Sequence, residues 1–414
     1  MAPDTPGNPA PPQTAGAATV SGLLDAIADI GRDARSGGYR RPVYSAAERE
    51  LREWFMAEAS ARRLDPRTDR NGVIWAWWGE PGPGAVVTGS HLDSVPGGGA
   101  FDGPLGVAAA LAAVDRLRAR GVAPAKPLAL AVFPEEEGSR FGLACLGSRL
   151  MTGRVDPDAA RRLTDGDANT LAEVFARAGL DPERIGPDPA AVALIGQFVE
   201  VHVEQGRGLV DLGRPIGIGE SILGHGRWRA SVFGQGNHAG TTPMADRADP
   251  VVAAAAMVQR VAEIARATPD ARATVGRFEP VPGGANVIAS RVDFWLDVRH
   301  PSDATTRRLV DEIAAMMAAA AASAGCRAEL GEESWSPAVG FDPALARRLA
   351  SLLPGAPPLR TGAGHDAGVI AGLAPSGMIF VRNPTGVSHA PEEFVERSDA
   401  DAAADALADV LEGL

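Results

Sequence analysis

The chain of 414 residues is long enough for two hydrophobic cores, and its 45% hydrophobic and 22% charged content is ordinary for a soluble globular protein. A formal net charge of −12 argues against nucleic acid and anionic membrane as partners, because both need a basic face. No apolar run approaches the roughly 18–20 residues that span a bilayer, and two cysteines, Cys145 and Cys326, argue against a disulfide framework and suit a reducing cytoplasm.

In chain order, residues 1–19 are Ala/Pro/Gly-rich, without the basic start or apolar stretch of a signal peptide, and read as a disordered leader. The run AVVTG within 84–89 predicts a buried strand ending at Ser90–Asp93. Pro104–Arg120 has helical spacing and stops at Gly121, and Pro127–Phe133 predicts a second buried strand that runs into Glu135–Glu137. This alternation predicts an α/β layer fold with a mostly parallel sheet, whose functional groups collect at the carboxyl ends of the strands.

The texture changes after about Leu212. Arg227–Phe233 alternates like a half-exposed strand, Asp249–Ala267 is a strong helix, Val292–Val298 a strand, Ala304–Ala324 a long helix, and Cys326–Glu333 a closing strand. Two helices with antiparallel-type strands predict a small α+β unit inserted into the larger α/β domain. The expected boundaries are 20–212 and 336–414 for the larger domain and 213–335 for the insert.

Two clusters carry chemistry. Gly89-Ser-His91-Leu-Asp93 is followed by the glycine-rich GGGAFDG, which brings Asp102 close by. A metal ligand needs a neutral imidazole, and a neighbouring carboxylate such as Asp93 commonly fixes its tautomer. The plain alternative is a glycine-rich turn with a capping Asp. Glu135-Glu136-Glu137 follows an apolar strand, where three adjacent carboxylates call for a compensating cation. One of them could ligate a metal while its neighbour acts as general base toward water. A solvated helix start is the alternative. His202 in HVEQG and His389 in SHAPEE complete three imidazoles and two carboxylates, a donor set that suits zinc, manganese or cobalt.

Together GSHLDSVPGGGAFDGPLGV, EEEGSRFG, VEVHVEQG, GNHAGTTPM, GGANVIAS, WLDVR, GAGHDA and SHAPEE, in order over about residues 88–394, resemble the dinuclear M20 metallopeptidase superfamily. More narrowly, they resemble its branch of N-carbamoyl-L-amino acid hydrolases, allantoate amidohydrolases and β-ureidopropionases. The resemblance implies a catalytic domain with two divalent ions, His91 and His202 on one, Glu137 and His389 on the other, and Asp102 between them. It implies Glu136 as general base and an inserted lid and dimerisation domain whose His238 stabilises the oxyanion, often across a homodimer. It also implies Asn286 and Arg299 as substrate contacts, with Gln205, Arg227, Gly364 and His365 near the same pocket. An imidazole at His202, where most peptidases of the superfamily carry an acidic ligand, favours a small ureido carboxylate as substrate.

Three alternatives stay open: a metallo-aminopeptidase or aminoacylase, a non-catalytic binding module on the same fold, and a serine or cysteine hydrolase. For the last there is no GxSxG elbow, and Cys145 has no adjacent histidine motif.

Overall fold

The computed structural model describes residues 18–414. The expectation for residues 1–19 therefore lies outside the described residues, except that Thr19 caps the helix Val20–Ala26 through its side chain. The chain divides into two compact units. Among the described residues, one comprises 18–218, 347–357 and 372–414, and the other 219–346 and 358–371. No helix among the described residues is long and apolar enough to cross a membrane.

The first unit is the α/β layer that the alternation predicts. Its strands run in the order Asp65–Thr68, Ile74–Trp78, Leu128–Phe133, Ala85–His91, Ile195–Val203, Ser376–Val381 and the start of Ile216–Ile222. The sheet is parallel at its centre, where Ala85–His91 pairs with Leu128–Phe133 and Ile195–Val203, and Ile195–Val203 pairs with Ser376–Val381. It is antiparallel toward both edges. The central strands Ala85–His91 and Leu128–Phe133 are buried along their whole length. Covering on both faces explains why they read as continuous apolar runs rather than alternating ones.

The helix Pro104–Ala119 starts with Pro at its first turn and is buried at most positions, packing against the central strands and the C-terminal helix Arg397–Gly413. Phe133 and Phe198 meet edge to face with ring centroids 5.8 Å apart, and Trp75 packs on Phe133 at 6.5 Å. These buried contacts support the carboxyl ends of the parallel strands, where functional groups collect in such sheets.

In the second unit, an antiparallel sheet runs in the order Arg327–Ser336, Gly224–Phe233, Arg291–His300 and Arg272–Val281. The helices Pro250–Ala267 and Asp303–Ser323 pack on one face over Trp228, Val232, Phe294 and Leu296. Arg272–Val281 is an edge strand that the sequence reading does not anticipate. Its residues are all partly or fully exposed, and its alternation runs only over Arg272–Val275 before a bulge at Gly276 breaks it.

Candidate metal centre

Each parallel strand delivers one part of the cluster at its carboxyl end. His91 is the last residue of its strand and pairs in register with Phe133. From Phe133 the chain turns directly into Glu135–Glu137. His202 lies one residue before the end of Ile195–Val203. His389 sits in the loop beyond Ser376–Val381, which Asn383 shapes by accepting from the amides of Thr385 and Gly386 and donating to the Val387 carbonyl.

The imidazoles are set in one tautomer. His91 Nδ1 lies 3.0 Å from the Asp93 carbonyl oxygen, and His202 Nδ1 lies 3.0 Å from the Val203 carbonyl oxygen. A carbonyl can only accept, so each Nδ1 carries a proton and, in the neutral ring that a metal ligand needs, each Nε2 presents its lone pair. The acceptor for His91 is thus the main chain of Asp93, not the carboxylate that the HxD spacing suggests. That carboxylate lies 3.6 Å from Nδ1 and accepts instead from the amides of Glu136 and Glu137, both at 3.2 Å. It joins the His91 turn to the glutamate turn.

Asp102 is the hub. Its Oδ1 lies 3.2 Å from His202 Nε2 and 3.5 Å from His91 Nε2, while its Oδ2 lies 3.4 Å from His389 Nε2. His389 Nε2 is also 3.4 Å from Glu137 Oε2. Two triads with ligand atoms within 4.8 Å of one another result, His91–Asp102–His202 and Asp102–Glu137–His389, and they share one carboxylate. Gly103, with φ +84°, makes the approach possible: a Cβ there would meet His91 Cε1 at 2.5 Å.

Glu136 stands beside the triads, 6% exposed, with Oε2 3.7 Å from His91 Nε2 and Oε1 receiving the Cys145 thiol at 3.5 Å. Glu135 turns away, its Oε1 accepting from the amides of Arg140 and Phe141. Glu135, Cys145 and His389 all hold left-handed backbone, at φ 56°, 55° and 58°. Such conformations cost about 1–3 kcal/mol each and concentrate where function over-determines the backbone.

The donor set fits divalent cations on its own geometry. His91 Nε2 is buried and makes no hydrogen bond, and a buried lone pair without a partner needs an explanation. Imidazole and carboxylate together are the ligand types of zinc, manganese and cobalt sites.

Electrostatics point the same way. Burial, then the Asp102 charge, pushes Glu137 up to about 7, and burial, then Asp93, pushes Glu135 up to about 8. Glu393, buried near Asp102, is likewise raised to about 7. The hydrogen bond to Asp102 raises His389 to about 9 against the opposing effect of its own burial. Burial works against ionisation of Asp102 too, but the three imidazoles around it, His202, His389 and His91, outweigh it and hold the carboxyl well below its usual range. Without cations, protons carry the compensating charge.

A pH dependence follows. Folding raises the Glu135, Glu137 and Glu393 carboxyls above their unfolded value of 4.5, so each costs stability progressively as pH rises from 4.5 through its folded value. His389 contributes stability that is complete below its unfolded value of 6.5 and is lost as pH rises through about 9. Chelator-treated protein is therefore expected to melt at progressively lower temperature between about pH 6 and pH 9, and Mn(II) to reverse that slope by displacing the protons. Differential scanning fluorimetry checks this; a melting temperature that climbs with pH in the chelated protein would contradict it.

Gln205, expected near the substrate, lies against the ligands: its Nε2 is 3.0 Å from Asp102 Oδ2, 3.1 Å from Ser388 Oγ and 3.3 Å from His389 Nε2. Sequence reading gives Ser388 and Glu393 no role at the site, and weighs Cys145 only as a nucleophile that lacks a histidine motif. The second glutamate of SHAPEE is the one local signal for Glu393.

The remaining residues belong to the second unit. His238 is exposed on the short strand Asn237–His238, and its Nδ1 accepts from the Gly240 amide at 3.0 Å. The neutral ring therefore carries its proton on Nε2, as a donor. Asn286 is exposed, and its carbonyl accepts from the Ala239 amide. Arg299 forks onto Asp297, with Nε 2.6 Å from Oδ1 and Nη2 2.9 Å from Oδ2, and Nη1 reaches the Gly362 carbonyl at 2.5 Å. Arg227 Nε lies 3.9 Å from the same Asp297. Gly364 is exposed, and His365 is buried.

Comparison with known proteins adds an independent finding. The profile of peptidase family M20/M25/M40 matches residues 87–413. An N-carbamoyl-L-amino acid amidohydrolase of Geobacillus stearothermophilus is 35% identical over 388 residues, covering 92% of this chain and 94% of that protein. An allantoate amidohydrolase of Bacillus subtilis (strain 168) is 33% identical over 406 residues, with 95% and 96% covered. Among solved structures, a hydantoinase/carbamoylase family amidase from Burkholderia multivorans superposes with a TM-score of 0.84 at 29% identity, covering 95% of this chain and 96% of that one.

Proposed function

Since the chain belongs to peptidase family M20/M25/M40, we propose that it is a dinuclear metal-dependent amidohydrolase cleaving the C–N bond of a ureido group on a small carboxylate. The observation that carries this reading is the division of Asp102, one oxygen facing two histidines and the other facing His389 beside Glu137. The names of the relatives, which act on N-carbamoyl-L-amino acids and allantoate, support the ureido substrate class.

His91 and His202 would hold one cation, Glu137 and His389 the other, and Asp102 both. When bound, the pair would polarise the scissile carbonyl and bring the pKa of an attacking water toward neutrality. Glu136 would take the proton of that water and pass it to the leaving nitrogen, a role that its position beside but outside both triads suits. His238, with its proton on Nε2, would donate to the developing oxyanion. Arg299 would pair with the substrate carboxylate by exchanging part of its fork on Asp297. Asn286, Gln205, Arg227, Gly364 and His365 are proposed to line the same pocket, and the second unit to serve as lid and as the contact of a homodimer. A cytoplasmic setting is part of the same proposal.

The test is a panel of N-carbamoyl-L-amino acids, allantoate, 3-ureidopropionate, N-acyl amino acids and dipeptides, with protein loaded with Mn(II), Zn(II) or Co(II). Release of ammonia and amine product from the ureido compounds is expected. Turnover confined to dipeptides or N-acyl amino acids would replace this reading with an aminopeptidase or aminoacylase.

A further inference from the structure

We propose that Glu393 is a positioning residue that clamps the main chain of Asp102 and thereby sets how that carboxylate is divided between the two cation sites. The proposal rests on the dinuclear reading above. Glu393 is 3% exposed and lies four residues beyond His389. Its Oε1 accepts from the amides of Phe101 and Asp102, at 3.1 and 2.9 Å, across nearly 300 residues of sequence. Its Oε2 lies 3.4 Å from Ser388 Oγ, and that hydroxyl lies 3.5 Å from Asp102 Oδ2 and 3.1 Å from Gln205 Nε2.

One buried carboxylate thus grips the backbone of the shared ligand, and its other oxygen stands beside Ser388, whose one hydroxyl proton can go either to it or to the outer oxygen of Asp102. Charge-assisted bonds from two successive amides fix the direction of the peptide that carries Asp102. They also tie the loop of Asp102 to the loop of His389, which belongs to the opposite end of the sequence. Gly99 leaves room for the clamp: a Cβ there would stand 2.4 Å from Glu393 Oε1 and 2.5 Å from Glu393 Cβ. Two separated features, a glycine at closest approach and a glutamate with both oxygens engaged, therefore serve one geometry. A ligand that must split its oxygens between two sites tolerates little rotation, so loosening this support acts on cation affinity before it acts on anything else.

The experiment is titration of metal-free protein with Mn(II), followed by isothermal calorimetry, for wild type, Glu393→Ala, Glu393→Gln and Gly99→Ala. Glu393→Ala is expected to bind Mn(II) roughly 10–100-fold more weakly, while Glu393→Gln, whose amide oxygen accepts the same two N–H groups, stays within about threefold of wild type. Gly99→Ala leaves every charge in place but pushes the carboxylate off the amides, and is expected to lose affinity to the same degree as Glu393→Ala. It also decides the question should Glu393→Ala fail to fold.

Unchanged affinity in Glu393→Ala or in Gly99→Ala overturns the clamp. So does a loss in Glu393→Gln as large as that in Glu393→Ala, which would mean that charge and not position matters. A wild type that takes up two Mn(II) beside an unaffected Glu393→Ala overturns the clamp alone. A wild type that takes up none overturns the dinuclear reading as well.

Discussion

Glu136→Gln is expected to lower kcat for the ureido substrate by about 10²–10⁴-fold while leaving cation content unchanged. The substitution keeps the shape of a side chain that is 6% exposed and held between the Cys145 thiol and His91. It also keeps the main-chain bond from Glu136 to Asp93, so the turn that carries Glu137 stays in place. What disappears is the capacity to accept a proton from water and return it to the leaving nitrogen. Because Glu136 stands outside both triads, the expected signature is a separation of chemistry from cation binding. Near-normal turnover would remove Glu136 from the role, and loss of the cations would make it a ligand.

Asp102→Asn is expected to have the larger effect on binding. An amide nitrogen replaces one carboxylate oxygen, so one of the two triads meets a donor where it needs an acceptor. The change also removes the charge that three imidazoles surround. The loss of affinity should exceed the roughly 10–100-fold that supporting residues cost, and activity should fall with it. Dialysis followed by metal analysis of the variant reads this directly. Retention of both cations at wild-type affinity would show that Asp102 does not bridge.

Much of this was legible in the sequence because local order and chemistry coincide. Ala85–His91 and Leu128–Phe133 are apolar runs that end in polar motifs, so the strand and its functional end are read together. The glycine-rich run around Asp102 announces a loop, and Gly99 and Gly103 are its points of close approach. The edge strand Arg272–Val281 is hidden because a bulge at Gly276 breaks its short alternation and none of its residues is fully buried. The clamp of Glu393 is invisible for another reason: its partners, Phe101 and Asp102, lie at the other end of the chain, and no spacing encodes that. The Arg299–Asp297 fork could have been read, since residues two apart on a strand share a face. The acceptor of His91 could not, because a main-chain carbonyl leaves no trace in residue type.

The metal content of the purified wild-type chain decides whether Asp102 serves two cations. The measurement is inductively coupled plasma mass spectrometry after equilibrium dialysis against Mn(II), Zn(II) or Co(II). The two triads that share Asp102 predict two equivalents per chain. One equivalent or none, in protein that still hydrolyses a ureido substrate, would contradict the account.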